Sequence, residues 1–246
     1  MERTVIVTGA GRGVGRGVAL AFAGNGDNVA IFERDASTAA DTAAEVERRG
    51  RRSLAVTCDV GDKVSVDAAV AQTVDKFGRV DVLVNNAQAV AFNTVLETTD
   101  EDADLMWRSG FLGTLHAMQA AHPHLVQTRG VIINVISGAM LGGFGKSGVY
   151  GSVKAAIRTL TRSAAVEWGP LGVRVNCISP SAQTPALEEW KQKFPEAYAQ
   201  RAGIIPLQRF GDPEDDIGRA LVALASPDAH YITSATVTVD GGAYFL

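Results

Sequence analysis

Tyr150 and Lys154 stand four residues apart, so on a helix they share one face. Ser137 ends an apolar run, Val131–Ile136, and a glycine-rich stretch separates it from Tyr150, which lets it fold back toward the same helix. The three side chains suit one chemistry. Reducing a carbonyl needs a proton donor beside its oxygen, and oxidising an alcohol needs a base there. A free tyrosine titrates near ~10, which is too high for a base at neutral pH. An ammonium ~4 Å away at an effective dielectric of ~20 favours the phenolate by about 4 kcal/mol, up to roughly 3 pKa units, and brings the phenol toward the operating pH. The Ser137 hydroxyl would hold the substrate oxygen by a hydrogen bond. A Tyr–Lys pair at this spacing is common on helix surfaces. Ser137 and a second constellation near the N-terminus set this one apart.

That second constellation is Thr8-Gly9-Ala10-Gly11-Arg12-Gly13-Val14-Gly15. It follows an apolar run and opens a helical pattern, the context in which a glycine turn brings backbone close to a pyrophosphate. The helix start offers free N–H groups and a positive dipole end to an anion. The spacing is GxxxGxG, on Gly9, Gly13 and Gly15, with Arg12 and Val14 between them. At the end of the second apolar run stands Glu33, whose carboxylate could accept hydrogen bonds from the adenosine ribose hydroxyls. An acidic group there repels a 2′-phosphate and points to NAD. Arg12 and Arg34 could hold that phosphate, which keeps NADP as the second cofactor.

These groups must be positioned by elements that the periodicity marks. Short apolar runs at Thr4–Thr8, Asn28–Phe32, Ser53–Cys58, Val80–Val84, Val131–Ile136, Val173–Ile178 and Thr236–Val239 alternate with helical patterns at about 14–25, 37–49, 62–77, 101–127, 150–168 and 213–225. Runs that are apolar on both faces read as parallel strands covered by helices on each side. The alternation predicts a doubly wound α/β domain spanning residues 1–246 without a break. One stretch departs from the rhythm: residues 185–206 carry Trp190, Phe194 and Tyr198 at helical spacing. It follows the sixth strand, at the end of the sheet where such folds bind ligands, and reads either as a substrate-covering lid or as a packed helix pair.

Bulk properties exclude several classes. Net charge is −4, which gives no electrostatic reason to bind nucleic acid or an anionic membrane. No apolar stretch reaches the roughly 18 residues of a membrane span, and no signal-peptide pattern opens the chain. The two cysteines, Cys58 and Cys177, sit inside apolar runs and read as reduced thiols of a cytoplasmic protein. His116, His122 and His124 cluster in sequence, but no Cys or acidic residue joins them at ligand spacing, so no metal site is expected.

Taken together these residues resemble the short-chain dehydrogenase/reductase family over essentially the whole chain. Its markers occur in order: the Thr8–Gly15 turn, Asp59-Val60 after the third strand, Asn85-Asn86-Ala87 after the fourth, Ser137, Tyr150 with Lys154, Pro180 after the sixth strand, and the closing Asp240-Gly241-Gly242. The resemblance implies a Rossmann-type, seven-stranded parallel sheet and a homodimer or homotetramer. It implies Asp59 and Val60 beside the adenine, and Asn86 and Ala87 near the nicotinamide ribose. Lys154 would bind that ribose as well as tune Tyr150. Pro180 would border the cofactor, and Ile178 and Thr184 would touch its nicotinamide end. The implied activity is NAD(P)-dependent interconversion of an alcohol and a ketone. A pocket of Gln88, Ala139, Met140, Phe144 and Trp190 predicts a medium-sized, largely apolar small-molecule substrate. Three departures stand out: Gly110 where the family usually has Asn, Gln88 where it usually has Gly, and Ser181 after Pro180. Gly110 and Gln88 motivate an alternative, a catalytically silent dinucleotide-binding sensor or scaffold.

Overall fold

The computed structural model describes residues 2–142 and 145–244. Seven strands form one parallel sheet: β1 (Thr4–Thr8), β2 (Asn28–Glu33), β3 (Ser53–Thr57), β4 (Val82–Asn85), β5 (Val131–Val135), β6 (Arg174–Pro180) and β7 (Thr236–Val239), in spatial order β3-β2-β1-β4-β5-β6-β7. Every residue of β1 and β5 is buried, as both-face coverage by helices requires. Alternate residues serve opposite faces. Val5, Val7, Val29, Ile31 and Ile133 join one core layer. Ile6, Ala30, Phe32, Leu83 and Ile132 join the other.

The first layer packs against α1 (Gly13–Gly24), α2 (Ala36–Arg48) and α10 (Arg219–Leu224). The second packs against α3 (Lys63–Phe77), α5 (Gly113–Thr128) and the far end of α7 (Gly148–Trp168). Side-chain caps set several helix starts: Asp35 accepts from Ser37 N (2.9 Å) and Thr99 Oγ1 from Asp102 N (3.1 Å), each satisfying an amide that the first helical turn leaves open.

The helical pattern expected at 101–127 is not one helix. α4 (Asp100–Met106) passes into a π-helical turn, Trp107–Leu112, before α5 begins. Such turns are frequent at functional sites, and this one packs on α7. Between β5 and α7 lies the single turn α6 (Ala139–Gly142). The 185–206 stretch forms α8 (Pro185–Lys193) and α9 (Pro195–Gly203). Its aromatic rings meet one another, Trp190 at 6.2 Å from Tyr198 and Tyr198 at 5.3 Å from Phe210, centroid to centroid.

Chain order along the sheet reverses between β1 and β4. Strands before the reversal run outward to β3, and those after it run outward to β7. The loops leaving β1 and β4 therefore diverge, and their carboxyl ends open a crevice.

Candidate functional site

The crevice is a cleft of about 860 Å³. At one end lies the glycine turn. Gly9 (φ +64°) and Gly13 (φ +55°) take left-handed backbone that other residues rarely adopt. Gly15 does not line the cleft; it is glycine because a Cβ there would fall 2.1 Å from the Gly9 carbonyl oxygen. No side chain caps the start of α1 at Arg12, so its first amides stay available to an anionic ligand. Gly9, Arg12, Gly13 and Val14 all face the cleft.

Glu33 and Arg34 border the same end. One Glu33 carboxylate oxygen accepts from Gly11 N (3.0 Å), the other from Arg34 N (2.8 Å) and Asp35 N (3.4 Å). The carboxylate thus holds the glycine turn in place as well as presenting negative charge. Asp59 and Val60 form the neighbouring wall. Their bend is set by Asp59 Oδ1, which accepts from Gly61 N (2.9 Å), and by His116 Nδ1, which meets the Val60 carbonyl at 3.1 Å.

In the middle of the cleft, the β1 and β4 loops are stitched together. Thr8 Oγ1 accepts from the amides of Asn86 (3.0 Å) and Ala87 (3.1 Å). Asn86 Nδ2 donates to the carbonyls of Thr8 and Gly9, both at 3.0 Å. Asn86 lines the cleft but spends its side-chain donor on the turn.

At the deep end stand Ser137, Tyr150 and Lys154. The Ser137 oxygen accepts from Ala139 N (3.2 Å), and both Ser137 and Tyr150 line the cleft here. Burial raises the Tyr150 pKa above its ordinary value, and the Ser137 hydroxyl pulls the other way. The downward shift expected from the lysine is therefore not the net direction. Lys154 is 3% exposed, and its ammonium donates to the Val135 carbonyl at 2.9 Å. It sits 5.7 Å from the centre of the tyrosine ring. Burial pulls Lys154 down from 10.5 to about 8, so desolvation is the largest influence on both side chains.

Pro180 and Thr184 close the opposite wall, where Thr184 caps α8 by accepting from Leu187 N (3.3 Å). Ile178 is buried in the first core layer and is not among the residues lining the cleft. Not all of the residues expected to form the substrate pocket line the cleft. Gln88 lines the cleft. Ala139 instead backs onto α7, its carbonyl oxygen 2.9 Å from where a Gly151 Cβ would sit. Met140 packs with Tyr150 against Met106, Ile136 and Val153. Trp190 turns into the aromatic cluster of α8 and α9 rather than the cleft. Phe144 lies outside the described residues. In their place the cleft is lined by Ala89, Val90 and Phe92, and by Ala186 and Glu189 of α8. Phe92 is 64% exposed, and its ring meets that of Tyr150 edge-on at 6.1 Å. The apolar residues following Asn86-Ala87 carried that signal in the sequence.

The two departures at 88 and 110 are one feature. A Cβ on Gly110 would fall 2.2 Å from Gln88 Oε1 and 2.6 Å from Val153 Cγ1. Gln88 Nε2 donates to the carbonyls of Ala89 (2.9 Å) and Met106 (3.0 Å), which fixes the amide's orientation and leaves Oε1 buried without a partner. Gln88 occupies the space that a side chain at 110 would need.

Outside the cleft, His122 packs against Trp168 with ring centres 4.6 Å apart and the planes tilted by 48°. Among the described residues no three His, Cys, Asp or Glu side chains gather as a metal site. Cys58 and Cys177 are buried and unpaired, and burial pushes both thiols up to about 11. Among the described residues no helix is long and apolar enough to cross a membrane.

Comparison with known proteins adds a second line. A family model described as enoyl-(acyl carrier protein) reductase matches residues 9–244. The 12alpha-hydroxysteroid dehydrogenase of a Clostridium species is 40% identical over 250 residues, covering 98% of this chain and 96% of that one. The (2S)-[(R)-hydroxy(phenyl)methyl]succinyl-CoA dehydrogenase subunit of Thauera aromatica is 37% identical over 243 residues, covering 98% and 96%. Among solved structures, NAD+-bound xylitol dehydrogenase superposes with a TM-score of 0.90 at 28% identity, covering 98% of each chain.

Proposed function

The chain belongs to the short-chain dehydrogenase/reductase family, and from that premise we propose that it interconverts a secondary alcohol and a ketone with Tyr150 as general acid and base. The coarser activity, NAD(P)-dependent alcohol dehydrogenase or carbonyl reductase, follows from its relatives. The observation that carries the finer reading is the convergence of Ser137, Tyr150 and the buried Lys154 on one end of the cleft, with the ammonium 5.7 Å from the tyrosine ring centre.

The cleft suits a dinucleotide. Its glycine turn leaves no room for side chains at Gly9 and Gly15, and the amides of an uncapped helix start are available to a pyrophosphate. Gly9, Gly13 and Val14 would hold the pyrophosphate, Glu33 the adenosine ribose, Asp59 and Val60 the adenine, and Ala87, Lys154, Pro180 and Thr184 the nicotinamide half. When bound, the nicotinamide gives or takes the hydride. The chain's own part is proton chemistry. Ser137 holds the substrate oxygen, and Tyr150 gives its proton to that oxygen in reduction or removes it in oxidation. Lys154 supplies the positive charge that makes the phenolate accessible once a substrate oxygen and a ribose join the hydrogen-bond set. NAD is the preferred cofactor, because Glu33 places a carboxylate where NADP carries its phosphate.

Substrate selection rests on Val90 and Phe92 beside Tyr150. An alcohol or ketone flanked by an apolar ring fits that wall, in keeping with relatives whose names specify a hydroxysteroid and a hydroxy(phenyl)methyl group. α8 and α9 act as the covering segment, and the working form is a homodimer or homotetramer in the cytoplasm. A silent binder was suggested by Gln88 and Gly110, but their mutual fit accounts for both without loss of function.

The test is NADH and NADPH binding followed by loss of reduced-nicotinamide absorbance with cyclic and aryl ketones, for the wild type and Tyr150→Phe. The variant is expected to bind NADH normally and to lose turnover by roughly 10²–10⁴-fold. Turnover retained by Tyr150→Phe would remove the tyrosine from its role. NADH binding with no turnover of any ketone by the wild type would favour the silent binder.

A further inference from the structure

The ring of Tyr244, near the carboxyl terminus, packs against Gly138. A Cβ built on Gly138 would fall 2.4 Å from Cδ2 and 2.5 Å from Cε2 of that ring. Gly138 is not among the residues with positive φ, so its backbone does not demand glycine; the tyrosine ring does. Gly138 directly follows Ser137, whose oxygen accepts from the next amide along, Ala139 N. Moving the Gly138 backbone therefore moves Ser137.

The same tyrosine also reaches α9. Its hydroxyl oxygen accepts from Arg201 Nη2 at 3.0 Å, and Arg201 belongs to α9. The turn that carries Tyr244 is firmly held. Asp240 is buried and accepts from the amides of Gly242 (2.9 Å) and Tyr244 (3.0 Å). Cβ atoms on Gly241 and Gly242 would fall 2.8 Å from Ile205 and 2.9 Å from Pro206, so the turn packs tightly against the residues that follow α9. One short tail thus touches both the serine loop and the segment that borders the cleft. Tyr244 is not among the residues that line the cleft itself.

We propose that Tyr244 is a positioning residue for the reaction: its ring seats Ser137 through Gly138, and its hydroxyl ties that loop to α9. The covering segment and the hydroxyl that holds the substrate oxygen then share one support, so ordering of one is ordering of the other. This rests on the role given to Ser137 above.

Four variants separate the two contacts: Gly138→Ala, Tyr244→Ala, Tyr244→Phe, and Gly138→Ala combined with Tyr244→Ala. Thermal melting, tryptic cleavage after Lys191 and Lys193 in NADH-bound protein, and ketone reduction are measured for each. Gly138→Ala should lower Tm by about 5 °C through overpacking against the ring, and adding Tyr244→Ala should restore most of that loss. Tyr244→Phe keeps the ring and loses the Arg201 bond. It should speed cleavage at Lys191 and Lys193 by about threefold to tenfold and raise KM with kcat little changed. Tyr244→Ala should also lower kcat, by up to about a hundredfold through misplacement of Ser137, while the Kd for NADH holds. Absence of thermal rescue in the double variant, or tryptic rates for Tyr244→Phe equal to wild type, would overturn the proposal. If the wild type reduces no ketone, the catalytic reading of Ser137 fails, while melting and proteolysis still decide whether Tyr244 joins the two segments.

Discussion

Lys154 is a charge kept in a place that disfavours charge. Its ammonium is buried with the Val135 carbonyl as acceptor, and burial lowers its pKa from 10.5 to about 8. The sign of the consequence follows from linkage. Between about pH 8 and 10.5 the unfolded lysine holds a proton that the folded one has released, so stability rises with pH across that window. Below it the burial cost is fully present, about 3 kcal/mol at 1.36 kcal/mol per unit. Lys154→Met removes that cost and loses one hydrogen bond to Val135, so the ligand-free protein should gain about 1 to 2 kcal/mol at pH 7 while losing turnover. Urea unfolding from pH 7 to 10 is the check: the wild type should gain stability relative to the variant as pH rises, and parallel curves would refute the buried charge. Glu33 carries a second expectation of this scale. Because it both accepts from Gly11 N and faces the cleft, Glu33→Ala should weaken NADH binding and reduce the preference over NADPH by about tenfold or more, as loss of a like-charge contact does. Equal preference in wild type and variant, read by fluorescence titration, would place the carboxylate away from the ribose.

At the scale of elements, the π-helical turn Trp107–Leu112 has the most to explain. Gln88 crosses to it from the loop after β4, donates to Met106 O, and fills the space beside Gly110. Gly110→Asn in the wild type must push Gln88 or Val153 aside, at a cost of about 1–3 kcal/mol. Gln88→Gly removes the obstacle together with a buried, unpartnered oxygen. The double variant should therefore be more stable than the sum of the singles by at least about 0.5 kcal/mol, the lower end for residues in contact. Additive melting shifts would show that the two positions are independent. Here the sequence was readable only in part. The strands were legible because parallel strands buried on both faces write themselves as β-branched runs, and the glycine turn because its conformation admits few other residues. Gln88 and Gly110 are distant in sequence, and only packing makes them one feature. Nor could periodicity show the π turn, whose single extra residue per turn leaves the apolar pattern of 101–127 almost intact. Trp190, Phe194 and Tyr198 did share a face, but that face chose its own partners over the cleft. The real apolar wall, Val90 and Phe92, lies on a loop with no periodicity to betray it.

For the molecule as a whole, the sheet reversal between β1 and β4 decides where a ligand sits and what its binding does. The cleft runs from the β1 and β2 loops, across the β4 loop, to the loops after β5 and β6. A dinucleotide lying along it would touch segments from both halves of the sheet. Those segments meet otherwise through the parallel pairing of β1 with β4, the Thr8–Asn86 hydrogen bonds and the shared core layers. Binding should therefore stabilise the whole cooperative unit. At a free NADH concentration of 100 times its Kd the gain is about 2.7 kcal/mol, which for a chain of this length is a rise in Tm of about 5–10 °C. NADPH at the same concentration should raise Tm less, because Glu33 opposes its phosphate. Tyr150→Phe should show most of the NADH shift, since in the proposed reaction the lost hydroxyl moves the proton. A melting transition unmoved by either dinucleotide would mean that the cleft binds neither, and the glycine turn would then be structure alone. A split transition, with only the residues before β4 stabilised, would mean that the ligand grips one half of the sheet and that the reversal is not where the two halves are coupled.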